Sequence, residues 1–541
     1  MNFSSAEFIY NTQDYSVSMT WLVGLILATL VYHWLSKSQR KPNPQNLPYP
    51  KGPTGLPYLG NALQMPPSDQ WITFAEWAEE FGSMTGLKVL GKNIVILNTF
   101  DAAMDLLHKR GAIYSSRPAF PLLQKFGGWD FLVSTAPYGE YFLTQRRMLH
   151  QYFNPSATRK YYDIVTTHAR ALAYDLLDKG ERFQSLNRMY VGASVMLIAY
   201  GYEVTDDNDV WINNAKEAML GATKTGTPGA HPIDIFPILG KLPYRIWGKD
   251  FGKNIEALRK GAHDVCVKPY AATKERILRG EAKPSIMSRL IEENTAPDGT
   301  IEHEKEISAA TSVIYIVAMM TYPAIQKRAQ KDLDNLLHGE RLPTFEDRDR
   351  LPFLDAIVKE TLRWKPVAPL GIPHTSIEDD TYNGYFLAKD TMFLVNAWGI
   401  CYDSATYPKP DEFNPWRFLK ENDVGELSLR SDIRDPEDVI FGFGRRLCVG
   451  RDLALATLWI TIATLLSVYD ICAPLDDEGR EIKPDLEYVT GTVSHPKPFR
   501  CRFVPRSQGM LSKLREAKIW TGEEKTRIKA DESARSRPNF S

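Results

Sequence analysis

Nineteen consecutive residues without a formal charge, Val17 to Leu35, constrain this chain more than any other feature. At about 1.5 Å of rise per residue such a stretch covers roughly the 30 Å hydrocarbon core of a bilayer as one helix. A cleaved leader would need a basic start and a small-residue cleavage site, and neither is evident. Glu7 and Asp14 precede the stretch without any Lys or Arg, whereas Lys37, Arg40 and Lys41 follow it. The positive-inside bias therefore predicts a lumenal segment 1–16, a transmembrane helix 17–35 and a body facing the cytosol. The endoplasmic reticulum membrane is the expected location.

Repeated prolines between residues 36 and 61 fix φ and remove backbone donors, which predicts a stiff, basic linker. A globular body over 62–506 follows. With 43% hydrophobic residues the chain can bury a large core, and 65 basic against 66 acidic residues argue against a nucleic-acid partner. Five cysteines, none in a CxxC arrangement, support neither a disulfide framework nor a zinc ribbon. Lys88–Thr99 and Tyr382–Val395 read as hairpins. Most of the rest reads as helix, including Ala324–Leu337 opened by Pro323, and Leu354–Trp364. The expected fold is mainly α with small β-sheets. Residues 507–541 are charged and poor in apolar side chains, so a mobile tail is predicted there.

The segment Phe441-Gly-Phe-Gly-Arg-Arg-Leu-Cys448-Val-Gly450 runs directly into an apolar helical stretch beginning RDLALATLW. A cysteine at a helix entrance has its thiolate stabilised by the first N–H groups, and flanking glycines let the backbone approach a flat ligand closely. These are the needs of an axial thiolate on haem iron, whose electron donation favours O–O cleavage. A buried structural cysteine is the ordinary alternative. The segment resembles the F-x-x-G-x-R-x-C-x-G signature of the cytochrome P450 superfamily, with Phe441, Gly444, Arg446, Cys448 and Gly450 at the five fixed positions.

The resemblance extends over about residues 42–506 and implies the cytochrome P450 fold, haem b, Cys448 as iron ligand and Arg446 as a partner of a haem propionate. Glu360-Thr-Leu-Arg363 resembles the family's E-x-x-R, whose spacing places both side chains on one helix face. Phe413-Asn-Pro-Trp-Arg417-Phe resembles P-E-R-F with Trp416 replacing the usual Glu, which implies that Arg417 joins Glu360 and Arg363 in a buried network. His374 and Arg146 fall where the family offers further propionate donors, although Phe142-Leu143 stands where a Trp-Arg pair is usual.

One family feature is missing. The helix that crosses the haem carries an acid-Thr pair for proton delivery, and none is found in Glu302–Pro323. Either Glu306-Ile307 occupies that position, with Ile in place of the hydroxyl, or a stretch between Glu306 and Ser308 is lost. Glu306 is thus a catalytic candidate. No G-x-G-x-x-G follows a predicted strand, so electrons are expected from NADPH through a partner reductase. Arg146, Arg147, Arg445 and Arg451 could form its basic docking face.

Phe120–Leu132, with Leu122, Leu123, Phe126, Trp129 and Phe131, lies where the family places a loop over the substrate pocket, and Ile233–Leu239 where a loop dips into the bilayer. Plain core packing is the alternative for both. Two functions follow: a membrane-anchored monooxygenase that inserts one atom of O2 into a lipophilic small molecule, similar to fungal microsomal enzymes of secondary metabolism or xenobiotic oxidation, or a haem-binding pseudoenzyme or isomerase. The second would follow from the missing pair and predicts poor turnover.

Overall fold

The computed structural model describes residues 43, 45–204, 209–225, 232–235, 239–240, 247, 249–293, 323–482, 487–491, 494–497 and 499–517. The expected membrane span, Glu306 and the segment before Pro323 lie outside them. Two units are distinguished, residues 1–49 with 381–386 and residues 50–380 with 387–541. In the smaller, the Phe386 N–H donates to the Pro48 carbonyl, and Asn43 bonds Leu47 through both its amide nitrogen and its oxygen.

Helices dominate the larger unit: α1 (Gln70–Phe81), α2 (Glu140–Phe153), α3 (Tyr162–Lys179), α4 (Phe183–Tyr200), α5 (Val210–Thr225), α6 (Lys249–Leu278), α7 (Ile286–Glu293), α8 (Pro323–Leu337), α9 (Pro352–Trp364) and α10 (Arg451–Val468), followed by α11 at 508–517. Prolines open α8 and α9, where the missing N–H costs nothing. The predicted α9 therefore starts two residues earlier than Leu354. Its apolar stripe, Phe353, Leu354, Ile357 and Val358, joins Leu453, Trp459, Ile460 and Leu466 of α10 in the principal core.

Buried residues follow one another without a gap from Ile462 to Val468, so α10 has no solvent face there. Among the described residues it is the one helix long and apolar enough to cross a membrane, and 67% of its apolar window is buried inside the protein. Its apolarity is that of a core helix.

The main sheet has strand order β1 (Met84–Val89), β2 (Lys92–Leu97), β6 (Met392–Val395), β3 (His374–Thr375). The first predicted hairpin is present, turned at Leu90-Gly91, both with positive φ. The second divides. Asn383-Gly384, again both left-handed, turns the short pair β4 (Asp380–Tyr382) and β5 (Tyr385–Leu387), and a further turn at Asp390 sends the chain into β6 alongside β2. Ser376 pins that turn by donating to the Ala388 carbonyl and accepting from the Thr391 N–H.

The mobile tail expected from residue 507 is a helix in its first part. The antiparallel pair β7 (Tyr469–Cys472) and β8 (Arg502–Pro505) leads into α11. There Met510, Leu511 and Leu514 pack with Leu172 and Leu176 of α3 and Leu465 and Val468 of α10. Three apolar residues at helical spacing suffice for this docking, and a composition average over the whole tail hides them. Residues 518–541 are outside the described set.

Of the apolar patch 233–239, the first residues are described. Ile233, on a one-turn helix Pro232–Ile235, is buried with Leu122 and Ile255, and the buried Asp234 carboxylate accepts from the Leu122 N–H at 3.0 Å. Core packing accounts for this residue.

Candidate functional site

The cysteine loop is built on backbone that side chains would obstruct. Gly442 and Gly444 have φ of +82° and +53°, and a Cβ at Gly444 would lie 2.4 Å from the Leu107 carbonyl oxygen. The loop closes through the Cys448 N–H, which donates to the Phe441 carbonyl at 2.7 Å. Gly450 caps α10, so Cys448 stands just before the helix N-terminus. Its side chain is solvent-exposed. Desolvation by surrounding protein nevertheless pushes the thiol up, and the Gly450 N–H, Arg146 and Arg451 offset this only in part. A metal cation at sulfur would deprotonate it outright.

Beside this loop lies a group of four basic residues, three of them buried. Arg446 donates from Nε to Ser115 O at 2.7 Å and from Nη2 to Ala136 O at 2.7 Å, with its guanidinium 3.6 Å from the centre of the Phe142 ring. Arg117 donates from Nε to Ser134 O at 2.9 Å and from Nη1 to both Ile372 O and Pro373 O. His374, on edge strand β3, has Nδ1 2.8 Å from Tyr114 O. Arg146, one turn beyond Phe142 on α2, is half-buried. All their carbonyl partners are neutral. No ion pair to Asp or Glu is formed by any of the four among the described residues.

The electrostatic consequence is consistent across the group. Desolvation, then Arg146, pushes Arg446 down to about 10. Desolvation and then Arg446 hold Arg117 well below the guanidinium range, and desolvation and then Arg117 hold His374 well below the imidazole range. Desolvation lowers Arg146 too. A buried charge without a counter-charge is costly. These residues therefore fit a ligand that brings two anionic groups beside a thiolate-bound metal, as haem does with its two propionates.

Arg146, His374 and Arg446, singled out in the sequence, lie here together with Arg117, which is not. No local motif marks it. It joins the group because Ser116 pairs with Thr375, more than 250 residues away, and that pairing has no sequence signal.

Glu360, Arg363 and Arg417 meet in one buried network. Glu360 is fully buried on α9 and accepts from Arg363 Nε at 2.8 Å and Nη2 at 2.9 Å, from Arg417 Nε, and from the Asn414 N–H at 2.7 Å. Arg363 also donates to Cys401 O and Pro410 O, and Arg417 to Pro408 O. Despite desolvation, Glu360 raises Arg363 above its ordinary value.

Of the four arginines assigned to a docking face, Arg147 and Arg445 are exposed, Arg146 turns partly inward and Arg451 pairs with Asp452 at 3.4 Å. In the loop 120–132, Phe120, Leu123, Trp129 and Leu132 pack on Ala218 of α5 and Leu258 and Ala262 of α6, with Trp129 Nε1 donating to Leu258 O.

The family model described as Cytochrome P450 matches residues 50–503. Cytochrome P450 monooxygenase COX2 of Coprinopsis cinerea is 37% identical over 86% of this chain and 91% of its own length. Tryptamine 4-monooxygenase of Psilocybe cyanescens is 35% identical over 91% and 99%, and cytochrome P450 monooxygenase ple1 of Rhodocybe pseudopiperita 34% over 88% and 92%. The fold, the cysteine loop and these similarities together place the chain in the cytochrome P450 family.

Proposed function

We propose that this chain is a haem-thiolate monooxygenase that inserts one oxygen atom of O2 into a lipophilic small molecule. The observation that carries the reading is the group of basic residues without carboxylate partners, set beside an accessible cysteine at a helix entrance. When bound, haem iron supplies O2 activation and O–O cleavage. Cys448 would hold the iron through its thiolate, Arg446, Arg117, His374 and Arg146 would hold the propionates, and Phe441, Gly444 and Gly450 would shape the loop. Glu360, Arg363 and Arg417 fix the segment behind it.

Electrons are assigned to NADPH through a partner reductase, with Arg147 and Arg445 as exposed cations for docking, and the location to the endoplasmic reticulum membrane through the span at 17–35. Glu306 is retained as the candidate acid for proton delivery. Relatives named as monooxygenases over most of the chain favour oxygenation above a haem-binding pseudoenzyme. The test is expression with a reductase under ¹⁸O2. One ¹⁸O atom in the product, lost in Cys448→Ala together with the thiolate-type spectrum of the reduced carbon monoxide complex, is the expected result. An unchanged spectrum in Cys448→Ala would overturn the assignment.

A further inference from the structure

The tautomer of His374 is fixed by its partner. A carbonyl oxygen only accepts, so the 2.8 Å contact with Tyr114 O requires the hydrogen on Nδ1. In a neutral ring Nε2 is then a bare acceptor, and no hydrogen bond to it is formed among the described residues. An ionised propionate is also an acceptor only. The two cannot hydrogen-bond directly unless a proton is added.

The surroundings oppose that proton until an anion arrives. The 114–117 segment contributes Arg117, the cysteine loop contributes Arg446, and β6 faces β3 with Phe393 and Met392, which do not titrate. The carboxylate bonded to the Tyr114 hydroxyl, Asp380, is also held by Arg110 at 2.7 Å. We propose that His374 takes up a proton from solvent when haem binds, so that an imidazolium Nε2–H faces the propionates. This rests on the haem reading above.

The sign follows from linkage. The imidazole pKa is depressed in the haem-free protein by burial and two guanidiniums, and two carboxylates reverse that field and raise it. Haem affinity is then greatest at low pH and falls as pH rises, by up to tenfold per pH unit between the two pKa values, before levelling off.

The experiment measures haem transfer from the ferric holoenzyme to excess apomyoglobin between pH 6 and 9, for the natural protein and for His374→Asn, whose amide can still donate to Tyr114 O. Other groups that titrate are common to both. The expected result is transfer that accelerates with pH in the natural protein and a profile flatter by one proton in His374→Asn. Parallel profiles would overturn the proposal. If His374→Asn does not retain haem, the resonance Raman propionate bending band of the natural enzyme decides. It should titrate with one proton, and a band invariant from pH 6 to 9 would overturn the proposal. Failure of the haem reading itself would look different, because no thiolate-type spectrum would form at all.

Discussion

Two buried arginine groups in this protein use the same bonds and differ by one carboxylate. Arg363 and Arg417 donate to main-chain carbonyls and share Glu360, whereas Arg117 and Arg446 donate to main-chain carbonyls and share nothing negative. The first group has a carboxylate to share, and the Arg363 pKa rises. The second has none, and its guanidinium pKa values fall. A fold that leaves buried guanidiniums without a carboxylate at one place, while giving them a shared one at another, suits a ligand that brings negative charge to the first. Structure and cofactor binding are thus separable in the same kind of residue.

Removing the carboxylate that the first group shares has the largest expected effect. Glu360→Gln leaves two buried guanidiniums without an anion and should cost about 3–5 kcal/mol, read as a lower urea midpoint with or without haem. Gly444→Ala should cost about 1–3 kcal/mol, since it strains a left-handed residue and drives a Cβ against Leu107. Because it displaces the cysteine loop and not the Glu360 network, the haem-to-protein absorbance ratio should fall more steeply than the unfolding midpoint. Trp416→Glu, which restores the usual family residue, should change stability by less than about 1 kcal/mol by thermal melt. Trp416 is 44% exposed, and its main contacts are the Phe353 ring and Arg328, whose guanidinium lies 5.3 Å from a Trp416 ring centre. A large loss there would mean that the acid at 416 competes for Arg417 and that the network is less self-contained than its geometry indicates.

What could be read in the sequence was whatever is local or strongly patterned. The loop around Cys448 declares itself through five fixed positions in ten residues, and Glu360 with Arg363 through a single helical turn. The hairpin at Leu90-Gly91 and the opening of α8 by Pro323 are equally local. Arg117 was not legible, because its place depends on an isolated pairing between Ser116 and Thr375. Ile233 and the residues of loop 120–132 were legible as apolar, but apolarity alone does not say whether a side chain meets lipid, substrate or a neighbouring helix. Met510, Leu511 and Leu514 were hidden by the charged residues around them.

The central claim is that Arg117 and its neighbours are completed by the ligand, and Arg363 by the protein. The most direct measurement compares Arg117→Met with Arg363→Met in urea unfolding, each with haem bound and after haem removal. Haem binding adds stability in proportion to the logarithm of its affinity. The account predicts that Arg117→Met reduces this haem-dependent increment by about 1.4 kcal/mol or more, a tenfold loss of affinity, whereas Arg363→Met lowers both forms alike and leaves the increment unchanged. An increment that falls equally in the two variants, or that survives intact in Arg117→Met, would contradict it.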